Sequence, residues 1–188
     1  PYYLPGEDTR IDGNTNIKAV YLPVVETEYI DAEGNLKKVN ARRIDTLPNL
    51  GLSSLSLMLT EGWYVVDSDL LFAHRNIIYT KNVNLIIADG KTLSFDQYEN
   101  KRWEEIEYCS FYPAKSFSGA GTFTIYGQTQ QTGTIDIGYR YAFIPNLVIN
   151  GGTFKCEPVG SHQAFSQFYT LTINRGQLKG YCVGCQKG

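Results

Sequence analysis

Short segments of alternating apolar and polar residues recur along the second half of the chain. Each runs into a glycine-containing corner and then a second alternating segment. Leu85-Ile86-Ile87 leads through Asp89-Gly90 to Leu93-Ser94-Phe95, and Phe123-Thr124-Ile125 leads through Gly127 and Gly133 to Ile135-Asp136-Ile137. Leu147-Val148-Ile149 leads through Asn150-Gly151-Gly152 to Phe154-Lys155-Cys156, and Leu171-Thr172-Ile173 leads through Asn174-Arg175-Gly176 to Leu178-Lys179-Gly180. The first segments begin at 85, 123, 147 and 171, so the last two intervals are both 24 residues and the first is 38. A fixed period of this size is the sequence signature of a repeat architecture.

The period has a physical cause. Parallel strands stack about 4.8 Å apart, so equivalent residues of successive turns lie almost above one another. Strand alternation then predicts four inward columns: Leu85/Phe123/Leu147/Leu171, Ile87/Ile125/Ile149/Ile173, Leu93/Ile135/Phe154/Leu178 and Phe95/Ile137/Cys156/Gly180. Ser94/Asp136/Lys155/Lys179 form an outward column, and Asn150 is expected beneath Asn174, where amides of stacked strands can bond one another. The chain is therefore expected to be all-β, a single parallel β-helix (solenoid) with an N-terminal strand and hairpin cap. An antiparallel sandwich is the competing fold, with Asp89-Gly90 and Asn150-Gly151 as hairpin turns. A sandwich has no need of the same 24-residue spacing twice.

Four runs carry a family resemblance: Leu59-Thr60-Glu61-Gly62-Trp63-Tyr64-Val65-Val66, Asn84 to Leu93, Phe123 to Gln128, and Leu147 to Phe154. Together they resemble the right-handed β-helix repeats of secreted or surface-attached bacterial proteins, over roughly residues 25–180. The resemblance implies a right-handed coil and an exported, surface-associated protein whose signal peptide has been removed. It implies little about chemistry, because most of that group has no assigned activity. The chain departs from the pattern in a stretched corner after Ile125 and an enlarged region after Phe95.

Outside the repeats, residues 1–16 are polar and turn-rich and read as an arm or wrap. Ile17 to Leu22, Val24 to Ile30 and Leu36 to Ile44 read as strands, the last two joined by Asp31-Ala32-Glu33-Gly34-Asn35. Such a hairpin would cover strand edges that otherwise invite aggregation. Residues 1–50 are thus expected to be arm and capping hairpin, and residues 51–188 the β-helix. Leu50 to Leu59 reads as a short helical cap or the first coil strand.

The enlarged interval holds the most charged stretch, from Asp96 to Tyr108. Insertions between coils emerge as loops on one face, often the binding face. Tyr98, Arg102, Trp103, Glu104 and Tyr108 are the candidate binding residues, rings and carboxylates suited to a sugar or peptide. The same residues also fit a short amphipathic helix packed through Trp103 and Ile106.

Composition narrows the functions. A net charge of −2 supplies no field for a nucleic-acid backbone or an anionic membrane. No stretch approaches the roughly 20 apolar residues of a membrane-spanning helix. Aromatic content of 13%, including 14 Tyr, fits half-buried strands and sugar-binding surfaces equally. Cys109, Cys156, Cys182 and Cys185 are too few for a disulfide scaffold, and the CxxC at 182–185 lacks the helix of a redox motif. His74 and His162 have no acidic or Cys neighbour at ligand spacing, so neither a metal nor another cofactor is expected.

Polysaccharide lyases and hydrolases use β-helices, so catalysis is the runner-up reading. A glycoside hydrolase needs two carboxylates facing one cleft. The chain has no Asp-Asp pair, and its nearest lyase-like set, Asp136, Lys155 and Lys179, reads more simply as a charge ladder on neighbouring strands. The leading expectation is a non-enzymatic secreted or surface module that binds glycan or another protein. A structural spacer is the third.

Overall fold

The computed structural model describes residues 22–45, 57–72, 77–95, 109–113, 121–138, 141–156, 166–180 and 182–185. Among them every regular element is a strand, and they build three sheets. The first sheet runs in the order β1 (Val24–Ile30), β2 (Leu36–Arg43), β4 (Gly62–Val66), β7 (Val83–Ile87), β10 (Thr122–Gly127), β13 (Asn146–Ile149) and β16 (Thr170–Ile173). The second holds β5 (Leu70–Phe72), β8 (Thr92–Phe95), β11 (Thr134–Asp136), β14 (Thr153–Cys156) and β17 (Gln177–Gly180). The third holds β3 (Leu57–Leu59), β6 (Ile77–Tyr79), β9 (Cys109–Pro113), β12 (Tyr141–Phe143), β15 (Ser166–Phe168) and β18 (Cys182–Cys185). From β3 onward the chain visits the third, first and second sheets in that order five times, and every pairing it makes is parallel. Only β1 and β2 pair antiparallel. The strands flanking Asp89-Gly90 and Asn150-Gly151 belong to different sheets, which removes the sandwich. An all-β chain of parallel sheets is compatible with the expected β-helix.

Most of the expected columns are in register. Phe123, Leu147 and Leu171 are successive partners, as are Ile125, Ile149 and Ile173. Leu93, Ile135, Phe154 and Leu178 follow one another in the second sheet. Up to Phe154 their side chains, with those of the third sheet, form one buried cluster running from Leu22 to Phe168. Leu171 and Leu178 of the last described coil pack against it half-buried. Ile173, expected inward, is 46% exposed because no described strand of its sheet follows it. No strand buries its apolar side alone; neighbours above and below exclude the water.

The column through Leu85 departs from expectation by two residues. Phe123 pairs with Val83, Ile125 with Leu85, and Gly127 with Ile87, instead of Leu85 under Phe123 and Ile87 under Ile125. An even shift keeps every side chain on its own face, so the core tolerates either register. The cause is length: β7 and β10 run two residues further before turning than β13 does, and their corners are correspondingly longer. The stacking also starts earlier than the period suggests. Tyr64 sits on Leu85 and Val66 on Ile87, and Leu57 to Leu59, within the stretch left between helix and strand, is strand. Residues 50–56 and Ile17 to Tyr21 lie outside the described residues.

The two tight corners repeat each other. Asn174 Nδ2 donates to Asn150 Oδ1 at 2.7 Å, so the expected amide ladder exists. Two residues on, Gly152 and Gly176 have φ of +71° and +88°, a region L side chains rarely adopt. A Cβ on Gly152 would lie 2.7 Å from the Gly133 carbonyl oxygen, too close for the corner to stack.

Phe154 is fully buried, edge-on to Phe168 with ring centroids 6.2 Å apart. Phe154→Ala is expected to cost about 3–5 kcal/mol in urea unfolding. Leu71→Ala, at a site 64% exposed, is expected to stay within about 0.5 kcal/mol.

Candidate binding cleft beneath the N-terminal hairpin

The expected candidates Tyr98, Arg102, Trp103, Glu104 and Tyr108 fall between β8 and β9 and lie outside the described residues. Within the described residues, a polar cleft lies at the hairpin.

Strand β2 joins the first sheet by pairing parallel with β4, Arg42 opposite Tyr64 and Arg43 opposite Val65. Arg42 Nη1 donates to the Tyr64 hydroxyl at 3.0 Å and to Thr60 Oγ1 at 3.3 Å, and Arg43 pairs with Asp67 at 2.7 Å. From this base the hairpin passes over the outer face of the first sheet. Tyr29 packs on Trp63 of β4 and Tyr126 of β10, with ring centroids 4.6 and 4.9 Å away, and Trp63 and Tyr126 are 5.0 Å apart. Beneath them Ala41, Val65 and Ile86 are buried, with Val25 and Val39 packed alongside, so this face carries a second small core. At the far end, Gly34 (φ +93°) lies against the Arg175 guanidinium of the β16–β17 corner, where any side chain would collide with it.

The turn at that end is held by one carboxylate. Asp31 Oδ1 accepts from the Asn35 N–H at 2.7 Å and Oδ2 from the Asn35 amide at 3.2 Å, while Lys37 lies 3.7 Å away. Desolvation pushes the Asp31 pKa up, but the Asn35 and Gly34 hydrogen bonds and the Lys37 charge outweigh it and hold it below the ordinary 3.8. Burial raises the pKa of both Tyr29 and Tyr126; Asp31 adds to the first, and a hydrogen bond with Asn150 opposes the second.

The long β10–β11 corner meets the hairpin from the other side. Gln128 Nε2 donates to Thr27 Oγ1 and to the Glu28 carbonyl, both at 3.2 Å, while its Oε1 accepts from the Asp89 N–H. Asp89 pins the corner in turn, accepting from the Gln130 N–H at 2.8 Å, Thr129 Oγ1 at 3.2 Å and the Thr132 N–H at 3.3 Å. Gln131, at φ +58°, donates to the Gln128 carbonyl and accepts from the Gly152 N–H. A non-glycine residue in this conformation is uncommon, and here both ends of its side chain are engaged.

Between hairpin and corner lies a polar cleft of about 360 Å³ lined by Glu26, Thr27, Glu28, Lys38, Gln128 and Thr129. That is at the small end of the roughly 300–1,000 Å³ range of ligand pockets. Glu26, Glu28 and Lys38 are 66%, 45% and 60% exposed, with the ammonium 3.4 and 3.6 Å from the two carboxylates. Hydrogen bonding to Glu26, then the charges of both carboxylates, raises the Lys38 pKa. The cleft offers carboxylate, ammonium, amide and hydroxyl groups from hydrogen-bonded walls, a set suited to hydrogen-bonding a polar ligand. Among the described residues no cluster of His, Cys, Asp or Glu could hold a metal ion, and no helix is long and apolar enough to cross a membrane.

The other polar candidate behaves as a ladder. Asp136 lies opposite Lys155 at 3.1 Å and its second oxygen accepts from the Gly138 N–H at 3.0 Å. Lys179 follows Lys155 in the same column. Cys156 is buried, and its thiol donates to the Lys179 carbonyl. No protein-family model, curated protein or solved structure matches the chain.

Tyr29→Ala removes the ring that covers Trp63. In a Trp103→Phe background the Trp63 emission is expected to shift to the red, with a loss of about 1–3 kcal/mol in stability. A second expectation concerns acid. The Asp31 pKa is lower folded than unfolded, so its contribution is present above the ordinary carboxylate range and lost as pH falls through the lowered value. Fluorescence-monitored acid titration should show this loss in the native chain and a smaller one in Asp31→Asn.

Proposed function

We propose that the chain is a right-handed parallel β-helix of the secreted or surface-attached kind, with residues 1–50 as its covering arm and hairpin and residues 51–188 as the coil. Its work is to bind a glycan or another protein without catalysis. The cyclic order of the three parallel sheets supports the coil reading. The binding reading is carried by the cleft at the hairpin, whose side chains stay exposed while the backbone beneath them is fixed from both sides. Preorganised walls lower the cost of ordering on association, which is what a binding surface requires.

A specific observation weighs against the lyase reading. Both oxygens of Asp136 are engaged, one by Lys155 and one by a backbone N–H, so this carboxylate serves its own strands. Holding a calcium ion there would require breaking those contacts.

The full chain, displayed on a glycan array, is expected to bind a hydroxyl-rich ligand and to lose about tenfold or more in affinity on Thr129→Lys, which fills the cleft. Loss on Trp103→Ala instead would move the seat to the 96–108 segment. Oligo-uronate cleavage in calcium-containing buffer, abolished by Asp136→Asn, would overturn the non-catalytic reading.

A further inference from the structure

We infer that the hairpin is a hinged strap, which lifts from the outer face of the first sheet as one body while the parallel sheets stay folded, and so opens and closes the cleft. The device is independent of what the cleft binds. Two separate apolar clusters carry it. The interior is one, and it takes in Leu22 and Ile44 at the two ends of the hairpin. The other lies on the outer face, where Ala41 of β2 meets Val65 and Ile86 beneath the Tyr29, Trp63 and Tyr126 rings. Clusters that share no side chain can be lost separately, which is how one part of a structure opens while the rest holds.

The backbone is attached unequally. Within the hairpin, every residue of β1 has an antiparallel partner, from Val24 with Arg42 to Ile30 with Leu36. Between the hairpin and β4 the described pairing covers Arg42 with Tyr64 and Arg43 with Val65, and the Ile44 N–H adds a bond to the Val65 carbonyl. The Arg43–Asp67 pair and the Arg42 bonds to Tyr64 and Thr60 lie at this same end, which makes it the hinge. Strands β7 and β10, by contrast, are paired along both edges, so neither can leave without breaking two ladders. Among the described residues the hairpin's other ion pairs, Lys37–Asp31, Lys38–Glu26 and Lys38–Glu28, all join its own residues. They travel with it and do not oppose lifting.

Side-chain contacts hold the rest of the hairpin down. Tyr29 packs on Trp63 and Tyr126, Gln128 donates to Thr27 Oγ1 and the Glu28 carbonyl, and the Arg175 guanidinium lies against Gly34. All of them can be released without unzipping a ladder. The seated form is the ground state, because Ala41, Val65 and Ile86 are fully buried in it and lifting returns them to water. The lifted form is a minor state, reached at a lower free energy than global unfolding. Lifting carries Glu26, Thr27, Glu28 and Lys38 away from Gln128 and Thr129, so the cleft exists only while the strap is seated. Anything bound between the two walls would in turn fix the strap.

Urea titration of the full chain tests this in a Trp103→Phe background, where Trp63 is the sole tryptophan. Acrylamide quenching of Trp63 reports the strap, and far-ultraviolet circular dichroism reports the parallel sheets. Quenching is expected to rise at lower urea than the main loss of strand signal. Gln128→Ala removes two hydrogen bonds to the hairpin and should raise the opening constant about fivefold or more. Arg175→Ala, at the tip, should move the quenching transition in the same direction. Neither variant should move the strand transition, which also shows that each still folds. Coincident transitions in the parent chain would overturn the strap, as would variants that shift both transitions together.

Discussion

Each strand from β3 onward buries its inward side chains only if the strands before and after it in the same sheet present theirs at the same height. In-register parallel stacking is the constraint on which everything else depends. It is enforced by apolar columns such as Leu93/Ile135/Phe154 and by the Asn150–Asn174 amide ladder, which holds the corner where the register is set. Where the corners lengthen, after β7 and β10, register shifts by two residues. The shift is even because an odd one would turn Leu85 and Ile87 outward. The variable corner lengths are thus absorbed at the rim without reaching the core.

The long β10–β11 corner that results is also what meets the hairpin. Gln128, Gln131 and the Asp89 carboxylate turn the six residues of that corner into a hydrogen-bonded wall. Opposite it, Tyr29, Trp63 and Tyr126 seal the outer face of the first sheet. Fold and candidate site are consequently one arrangement: Val25, Tyr29, Val39 and Ala41 of the hairpin cover apolar surface, while Glu26, Glu28 and Lys38 on its other face stay exposed at the cleft.

Much of this was legible in the residues. The 24-residue spacing identified the stacked pairs from Phe123 to Leu178, and the hairpin bounds follow from apolar alternation broken by Asp31 to Asn35. The hairpin's path over the outer face was not anticipated, although a signal existed. Trp63-Tyr64-Val65-Val66 and Leu85-Ile86-Ile87 are apolar on both faces, and strands of that kind are covered on both sides. Treating them as alternating hid the need for a cover. The cleft had no sequence signal at all, because Glu28 and Gln128 lie 100 residues apart and meet only through the fold.

A charged edge strand usually guards a sheet against unwanted pairing. On β1 the guard is asymmetric: both carboxylates are of one sign, and Lys38 answers them from the β2 side only. Such an edge repels acidic and self-similar strands far more strongly than basic ones. The two glutamates thus act as a barrier on an edge that the β10–β11 corner also covers through Gln128. The proposed β-helix needs its long first-sheet edge protected, and charge on Glu26 and Glu28 together with the Gln128 bond to the Glu28 carbonyl supplies that protection.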